Sequence, residues 1–323
     1  MSHPTTDIVQ EVEAAEARIR PHVRQTPLEW SPALSELSGA HVFLKCENLQ
    51  HTGSFKVRGA LSKVLSLSPE EIARGVITAS TGNHGAAVAY ALGKLGASAA
   101  VFVPEGASPA KVAAIERLGG TVRRHGTDSG ETEAFARRHA TESGAVFVSP
   151  YNDPRVIGGQ GTIGIELLRQ LPDLDAALVS LGGGGLISGI AAYLKANKPG
   201  VRVIGCSPEN SQVMIKSVAA GWILDLPSLP TLSDGTAGGV EADSMTFPLV
   251  RDLVDDFVTV TEEEIASAMR RCLEVHHMLI EGSAGVALAA FEKQAAHWRG
   301  KHVVIVLCGA NISLPALRSV ISE

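Results

Sequence analysis

The 323-residue chain lacks several features that mark particular classes of protein. Aromatic residues make up only 4%, and no Lys/Arg run with interleaved aromatics is present, which argues against a nucleic-acid partner. No apolar stretch is long enough to span a bilayer, and residues 1–20 contain no apolar core typical of a secretory signal. The net charge of −6 also disfavours an anionic membrane as partner. These absences favour an enzyme or a binder of small molecules.

Cysteine and histidine give no sign of a disulfide framework or a metal site. The four cysteines are scattered and form no C-x-x-C pair (Cys46, Cys206, Cys272 and Cys308). This usage is typical of a reduced compartment, so we expect a cytoplasmic protein. His276 and His277 are adjacent and therefore do not share a helix face, so we interpret them as structural. No metal site is predicted.

Glycine, in contrast, is abundant, with 33 residues that cluster in a few loops. Between the loops, short runs rich in Val and Ile alternate with segments whose apolar residues recur at helical spacing. Nine runs are predicted as strands: 41–46, 75–79, 97–103, 121–124, 145–148, 176–181, 202–206, 256–260 and 302–307. They are continuously apolar, which indicates burial on both faces and an α/β fold with a parallel sheet between helices.

Three of the predicted strands run directly into loops of small polar residues and glycine. These loops cover residues 80–84, 182–185 and 309–311. In open α/β sheets, ligands bind at the carboxyl ends of the strands. The three loops are therefore the candidate sites on geometry alone.

A lysine stands near the start of a predicted helix in the segment 53–60 (GSFKVRGA). Ser54 or Thr52 is expected to cap this helix, which places Lys56 in its first turn. The positive end of the helix and the nearby Arg58 would then lower the pKa of the lysine amine, making it a better nucleophile and base. The alternative is an ordinary surface lysine on a capped helix.

Four consecutive glycines, 182–185, follow a predicted strand and open a helix. Their backbone N–H groups can approach a phosphate at the helix N-terminus. A Walker A loop would end in Gly-Lys-Ser/Thr, which is absent. A dinucleotide fingerprint would need glycine at Ser188 and an acid where Cys206 and Ser207 stand. A tight structural turn is the other alternative, but so many glycines lose much backbone entropy on folding, which favours phosphate binding.

Three further residues or loops have a chemical and a structural interpretation. The loop 80–84 (STGNH) offers hydroxyls, an amide and free N–H groups that suit a carboxylate, or it is simply a well-capped helix start. Cys308 is either a small buried apolar residue or a reactive thiol. Glu281 is expected at a helix cap, where its carboxylate is available for chemistry.

Taken together and in this order, these segments resemble the fold-type II pyridoxal 5′-phosphate (PLP) enzymes. The closest group is the serine/threonine dehydratase and serine racemase family, over residues 28–313 and including the segment 156–168 (VIGGQGTIGIELL). The resemblance implies two open, twisted, mostly parallel sheets flanked by helices, as in the tryptophan synthase β chain. It implies a large PLP-binding domain (1–74 and 150–323), a small domain (75–149) with the substrate cleft between them, and a homodimer.

The resemblance also implies a role for each matching residue. Lys56 would hold PLP as a Schiff base and take the proton from the substrate Cα. Thr81, the second predicted catalytic residue, stands where related racemases carry a serine on the opposite face. Cofactor contacts are expected from Phe55, Lys56, Asn83 (to the ring hydroxyl), Gly182, Gly183, Gly184, Gly185, Leu186, Gly235, Glu281 and Cys308 (at the ring nitrogen). Substrate contacts are expected from Ser80, Thr81, Asn83, His84, Tyr151 and Asn152.

The implied activity is elimination of water from a β-hydroxy-α-amino acid, such as serine, threonine or 3-phenylserine, to give a 2-oxo acid and ammonia. A neutral thiol at the ring nitrogen makes PLP a milder electron sink, which favours elimination. The loop sequence STGNHG resembles the hydroxyectoine-pathway or phenylserine dehydratase subgroup. The alternatives are a racemase or β-replacement enzyme with the same cofactor, and a non-catalytic amino-acid or nucleotide binder on the same fold.

Three departures from the family pattern affect these expectations. The threonine hydroxyl of Thr81 is bulkier than that of serine, which disfavours racemisation. Ser207 and Val213 stand where racemase-like members have the Glu and Asp of a divalent-cation site, and Glu209 is only a weak substitute. Gly282 stands where proline is common.

Overall fold

The computed structural model describes residues 4–322, whose strands form two separate sheets. The strands are β1 (Leu28–Trp30), β2 (His41–Lys45), β3 (Val76–Ala79), β4 (Ala99–Val103), β5 (Thr121–Arg124), β6 (Val146–Phe147), β7 (Ala176–Ser180), β8 (Arg202–Pro208), β9 (Asp256–Val260) and β10 (His302–Val306). All nine predicted strands are confirmed as β2 to β10. The unpredicted β1 is three residues long and pairs only with β2, at the edge of its sheet.

Helices occupy most of the chain between the strands. They are α1 (Pro4–Ile19), α2 (Pro32–Ser38), α3 (Lys56–Val64), α4 (Pro69–Arg74), α5 (Asn83–Gly93), α6 (Pro109–Arg117), α7 (Ser129–Ser143), α8 (Pro154–Gln170), α9 (Gly185–Asn197), α10 (Val213–Ala220), α11 (Thr246–Leu253), α12 (Glu262–His276), α13 (Gly282–Lys293) and α14 (Leu314–Ile321). Residues 1–3, which fall in the polar N-terminal segment, lie outside the described range. No helix in residues 4–322 has the length and apolar character needed to cross a membrane.

The larger sheet has the strand order β1-β2-β10-β7-β8-β9 and is parallel except for β1. The smaller sheet, β5-β4-β3-β6, is parallel throughout. All five side chains of β7 are buried, as expected for a strand covered on both faces. The predicted α/β class with two mostly parallel sheets is confirmed. The four strands of the smaller sheet lie between residues 76 and 147, and the domain boundaries at 74/75 and 149/150 stay a prediction.

The parallel arrangement brings three loops to the carboxyl ends of their strands. β7 leads into the four glycines, β10 leads into Cys308, and β3 leads into Ser80. Cys308 and Cys46, Cys206 and Cys272 are all buried as free thiols. Because β7 and β10 are neighbours in the larger sheet, the glycine loop and Cys308 lie at the same edge.

A fully buried group of charged side chains links α3 to its neighbouring elements. The Arg58 guanidinium donates to Glu47 (2.7 Å) and to Glu166 (2.8 Å). Glu166 also accepts from Lys45 at 2.5 Å and from Arg20 at 2.7 Å. Side chains of Lys45, Glu47, Arg58 and Glu166 are at most 1% exposed, so this buried ion network ties β2, α3 and α8 together in the interior.

Candidate active site

A cleft of about 780 Å³ lies where the carboxyl ends of the two sheets face each other. Its walls include residues of all three predicted loops and the start of α3, among them Lys56, Ser80, Gly182 and Cys308. A cavity of this size and mixed polarity is typical of a small-molecule site. Segments far apart in the chain thus meet around one space.

Lys56 begins α3 and extends its amine into the cleft. Its Nζ donates to the Pro150 carbonyl at 2.8 Å and lies 5.2 Å from the centre of the Phe55 ring. The predicted helix cap is wrong, because Phe55 occupies the cap position without a side-chain hydrogen bond. The Ser54 and Thr52 hydroxyls are buried and have no partner among residues 4–322. The turn before α3 is held instead by pairing of Ser54 with Gly309.

Burial lowers the pKa of Lys56 to about 8, although electrostatic interactions with Cys308, Glu281 and Glu133 partly oppose the shift. The predicted contribution of Arg58 is wrong, since its charge is taken up in the buried ion network by Glu47 and Glu166. A free amine is therefore populated near neutral pH, as a nucleophile or base requires.

The lowered pKa of Lys56 predicts how the free enzyme reacts with an aldehyde. The attacking species is the neutral amine, so the rate of covalent capture should rise with pH and level off above about pH 8. An ordinary lysine would keep gaining rate up to its usual pKa of about 10.4. Borohydride trapping of a small aldehyde across this range measures the profile. A rate still climbing well above pH 9 would contradict a lowered pKa of about 8.

The glycine loop is shaped by contacts that exclude a side chain. Gly184 has φ +87°, a left-handed conformation that favours glycine. A Cβ atom on Gly182 would lie 2.8 Å from the Thr236 Cα, and one on Gly183 would lie 2.7 Å from the Tyr151 ring. α9 starts at Gly185, so the loop presents backbone N–H groups at the N-terminus of a 13-residue helix. This arrangement suits a phosphate group.

Gly182→Ala should therefore weaken the binding of a phosphate ligand in the cleft about tenfold, since overpacking typically costs about 1 to 3 kcal/mol. The added methyl group would push against the Thr236 backbone, next to Gly235 in the cleft wall. Gly200→Ala is the matched control, because a Cβ there meets no atom within 4 Å. Titration of each variant with inorganic phosphate or a phosphate-bearing ligand measures the effect. Equal affinities in both variants would count against a phosphate seat in this loop.

Asn83 and Glu281 meet across the cleft. The Asn83 Nδ2 donates to both carboxylate oxygens of Glu281, at 2.8 and 3.0 Å. Burial raises the pKa of Glu281 to about 7, although the Asn83 hydrogen bond opposes the shift. A carboxyl that titrates near neutrality in a cleft is typical of a functional site.

Cys308 lies at the end of β10, 2% exposed. Burial raises the pKa of its thiol well above the ordinary value, and the Glu281 charge adds to the shift. The sulfur therefore stays neutral, so it is a weak donor and acceptor rather than an anionic nucleophile. Of the two interpretations of Cys308 from the sequence, the small buried residue agrees with these surroundings and the reactive thiol does not.

The loop after β3 supplies backbone donors more than side chains. Ser80 accepts a hydrogen bond from the Gly82 N–H at 3.2 Å, and α5 begins at Asn83. The Thr81 hydroxyl makes no hydrogen bond to another residue of the described chain. The His84 Nε2 lies 3.0 Å from the Val148 carbonyl and must carry the proton that it donates. The other nitrogen, Nδ1, is then an acceptor, so it is the His84 backbone, not its ring, that suits a carboxylate.

Of the two predicted substrate residues Tyr151 and Asn152, only Tyr151 lines the cleft. Tyr151 packs against Gly183 and Gly185, and its hydroxyl accepts from the Glu241 N–H at 2.9 Å. Asn152 does not line the cleft, because its amide donates to the Glu241 carboxylate and accepts from the Met245 N–H. Three charged residues that the sequence did not single out also line it, Lys111, Arg117 and Glu133. Their helices and loops carry no glycine or strand-end signal.

The model of the family described as "Pyridoxal-phosphate dependent enzyme" matches residues 19–309. The chain belongs to this family. Its cofactor is PLP, and the predicted relationship to the fold-type II serine/threonine dehydratases and serine racemases is confirmed. The chain is 41% identical to a serine racemase of Arabidopsis thaliana over 95% of this chain and 93% of that protein. It is 41% identical to an L-threonine ammonia-lyase of Thermotoga maritima, covering 98% and 78% of the two chains.

A third relative and a solved structure agree with this assignment. A beta-hydroxyaspartate dehydratase of Paracoccus denitrificans is 39% identical over 94% of this chain and 96% of that protein. The structure of maize serine racemase superposes with a TM-score of 0.90 at 36% identity, covering 97% and 96% of the two chains. These similarities confirm the predicted PLP-dependent lyase, related to dehydratases and ammonia-lyases.

The described residues fit PLP. The glycine loop has the backbone cradle that a phosphate needs, and any Cβ on Gly182 would fill part of that wall. Lys56 supplies an amine of lowered pKa, and Phe55 offers a ring face beside it. The presence of glycine at position 282 also has a physical reason, because a Cβ there would overlap the Leu232 carbonyl. A proline at this position, which also has a Cβ, would require the segment 232–233 to move.

Proposed function

We propose that this PLP enzyme eliminates water from a β-hydroxy-α-amino acid with a neutral side chain, giving a 2-oxo acid and ammonia. The observation that carries the proposal is the free amine of Lys56 in the same cleft as the hydroxyls and backbone N–H groups of the loop 80–84. Bound PLP withdraws electrons from the Cα of an amino acid that is joined to it. Each remaining task falls to residues of the chain.

Lys56 is the proposed catalytic base. Released from the cofactor, its amine removes the proton from the substrate Cα, and its pKa of about 8 suits a base near neutral pH. The Pro150 carbonyl, 2.8 Å from Nζ in this structure, gives the free amine a hydrogen-bond acceptor that keeps it in the cleft. The base is therefore held in place without a carboxylate partner that would raise its pKa.

The N-terminus of α5 is the proposed seat of the substrate carboxylate. The backbone N–H groups that open this helix have no helical acceptor and favour an anion. Burial lowers the pKa of His84 to about 3, so its ring stays neutral and keeps its proton on the Val148 side. Ser80 and Thr81 add hydroxyls beside this seat.

Thr81 is the proposed reason that elimination outweighs racemisation. Inversion at Cα requires a second acid and base on the face opposite Lys56. A threonine hydroxyl becomes a base only with an activating partner, and Thr81 has none among residues 4–322. Loss of a β-hydroxyl does not need that second group at Cα.

The charges of the cleft favour substrates without an acidic side chain. The carboxylates of Glu133 and Asp234 line the cleft; Glu133 is paired with Arg137 at 2.7 Å and makes a small contribution that opposes the lowering of the Lys56 pKa. The Lys111 ammonium is already paired with Asp234 at 3.1 Å. A second substrate carboxylate would meet the charges of Glu133 and Asp234, and would have to displace Asp234 from Lys111 or reach Arg117, the other Lys/Arg cation of the cleft wall. We therefore propose serine, threonine or 3-phenylserine rather than 3-hydroxyaspartate.

Measuring 2-oxo acid and amino-acid chirality with L-serine, L-threonine, DL-threo-3-phenylserine and DL-threo-3-hydroxyaspartate tests the proposal. We expect 2-oxo acid from at least one neutral substrate, with kcat/KM about tenfold or more above that for 3-hydroxyaspartate, as expected for about 1.4 kcal/mol of repulsion. Inverted amino acid without 2-oxo acid would overturn the dehydratase proposal. A preference for 3-hydroxyaspartate would overturn the proposed side-chain class alone.

We also propose a cytoplasmic homodimer. Large apolar side chains are exposed on β1, α2, α12 and α14 (Trp30, Leu37, Leu273, Leu314 and Ile321). The Ser31 hydroxyl lies 3.4 Å from His276 Nε2, and Arg270 donates to the Val320 carbonyl, so α12 is a neighbour of both α2 and α14. Exposed apolar side chains on neighbouring elements are typical of subunit interfaces. Sedimentation of the purified protein at the mass of a single 33.7-kDa chain would contradict the dimer.

A further inference from the structure

Asn311 lies beside Asn83 at the mouth of the cleft and belongs to neither the cofactor nor the substrate residues predicted from the sequence. Its Nδ2 donates to the Asn83 Oδ1 at 2.6 Å and to the Thr52 carbonyl at 2.8 Å. Its backbone is held close by, because the Ala310 N–H donates to the Gly53 carbonyl at 2.9 Å. The side chain therefore bridges the turn that carries Lys56 and the helix that begins at Asn83.

Hydrogen-bond chemistry gives this chain of contacts a single direction. The Thr52 carbonyl only accepts, so it must face the Asn311 NH₂ group, and the same group then donates to the Asn83 oxygen. That fixes the Asn83 NH₂ group toward Glu281, whose carboxylate accepts. If the Asn83 amide were flipped, its NH₂ group would face the NH₂ group of Asn311, and its oxygen would face the carboxylate oxygens of Glu281. Neither pair could form a hydrogen bond.

We propose that Asn311 is a positioning residue that fixes the Asn83 amide, so that the second Asn83 N–H is presented to the ring hydroxyl of bound PLP. The inference rests on the proposed role of Asn83 at the cofactor. One N–H of Asn83 donates to the Glu281 carboxylate, both oxygens of which lie within hydrogen-bond distance. Because a primary amide has two N–H donors, the second N–H is available for the cofactor. Asn311 acts on the cofactor only through Asn83.

Glu281 and Asn311 both orient the Asn83 amide, and the relative contribution of each depends on pH. An ionised Glu281 accepts only and holds the Asn83 NH₂ group by itself, whereas a protonated Glu281 can also donate to a flipped oxygen. Below about pH 7, the pKa to which burial raises Glu281, Asn311 becomes the deciding contact. The groups that face Glu281 are the Asn83 amide, the Asn311 backbone N–H, and the charges or dipoles of Asp234, Lys56 and Cys308.

The test uses the full-length chain, with and without Asn311→Ala, in both the wild-type and the Asn83→Ala background. The readouts are the dissociation constant of PLP and the position of the absorbance band of the bound cofactor, one pH unit below and above about pH 7. We expect Asn311→Ala to weaken PLP binding about tenfold at the lower pH and less than threefold at the higher pH, as expected for one hydrogen bond. In the Asn83→Ala background, Asn311→Ala should change nothing.

A pH-independent loss of equal size in both backgrounds would overturn the inference and make Asn311 merely structural. Unchanged PLP binding in Asn83→Ala alone would instead overturn the proposed role of Asn83 at the cofactor. Asn311→Asp is the second variant, since it has the same shape but sets oxygen against the Thr52 carbonyl and the Asn83 oxygen. It should weaken PLP binding more than Asn311→Ala, and an equal or smaller effect would also overturn the inference. Asn197→Ala, an exposed asparagine that donates to the Tyr193 carbonyl, is the matched control.

Discussion

Lys56→Ala should lower 2-oxo acid formation about a thousandfold, within the range that loss of a general base produces. The variant lacks both the covalent link to PLP and the proposed Cα base. No replacement base is available nearby, because the carboxylate of Glu281 is engaged by Asn83, and burial lowers the pKa of His84 to about 3, which makes its ring a weak base. The visible absorbance band of the lysine-bound cofactor should disappear in the same variant.

The control for this prediction lies on the same helix. Lys63 is also on α3, but it pairs with Asp153 at 2.7 Å and does not line the cleft. Lys63→Ala should keep the absorbance band and at least half of the activity. Adding a small primary amine to Lys56→Ala should restore part of the turnover if proton transfer is the missing step. Full activity in Lys56→Ala would contradict both assigned roles of the lysine.

Arg58→Met should lower the free energy of unfolding by about 3 to 5 kcal/mol, the usual cost of leaving buried charges without a partner. Arg58 is fully buried and is the shared partner of Glu47 and Glu166 in the buried ion network. Burial alone would raise the pKa of Glu166, yet Arg58 and Lys45 hold it at about 2. Removal of the guanidinium leaves two buried carboxylates with Lys45 and Arg20 as the remaining cations.

Urea unfolding of Arg58→Met and of the exposed control Arg138→Met measures this effect. The control should stay within about 0.5 kcal/mol of the wild type, as is usual for surface positions. Combining Arg58→Met with Glu47→Gln and Glu166→Gln should recover part of the loss, because the uncompensated charges are then gone. A loss below about 1 kcal/mol in Arg58→Met would mean that water or rearrangement satisfies the carboxylates.

The same network predicts a direction for acid unfolding. The folded-state pKa of Glu166, about 2, lies below its ordinary unfolded value. Its contribution to stability is therefore fully present above an unfolded pKa of about 4.3 and is lost as the pH falls toward about 2. The Glu166→Gln variant, which has no such titration, should show a flatter dependence of unfolding midpoint on pH over this interval.

The sequence predicts this fold well wherever local pattern and burial agree. β4, β7 and β10 consist almost entirely of apolar residues, and the four consecutive glycines indicate a phosphate-binding loop by their composition. The edge strand β1 escapes prediction because its three residues are paired on one side only and two of them are exposed. Local patterns do not contain the partner that makes such a segment a strand.

The errors at the candidate site share one physical origin, which is contact between residues distant in the chain. Ser54 looks like a helix cap, but pairing with Gly309 sets the turn instead. Arg58 looks like a neighbour of Lys56, but its partner Glu166 comes from a helix more than a hundred positions away. The ring of His84 is oriented by the Val148 carbonyl beyond the end of β6. None of these partners is visible in a local window of sequence.

Because all four cysteines are buried, the reactivity of their thiols reports how often the surrounding structure opens. Burial raises the pKa of Cys46 and of Cys272 to about 12, so almost no thiolate is present at neutral pH in the folded chain. An alkylating reagent can then modify these sulfurs only when the surrounding structure opens. The labelling rate of each cysteine, read by mass spectrometry, would report how often its own region is exposed to solvent.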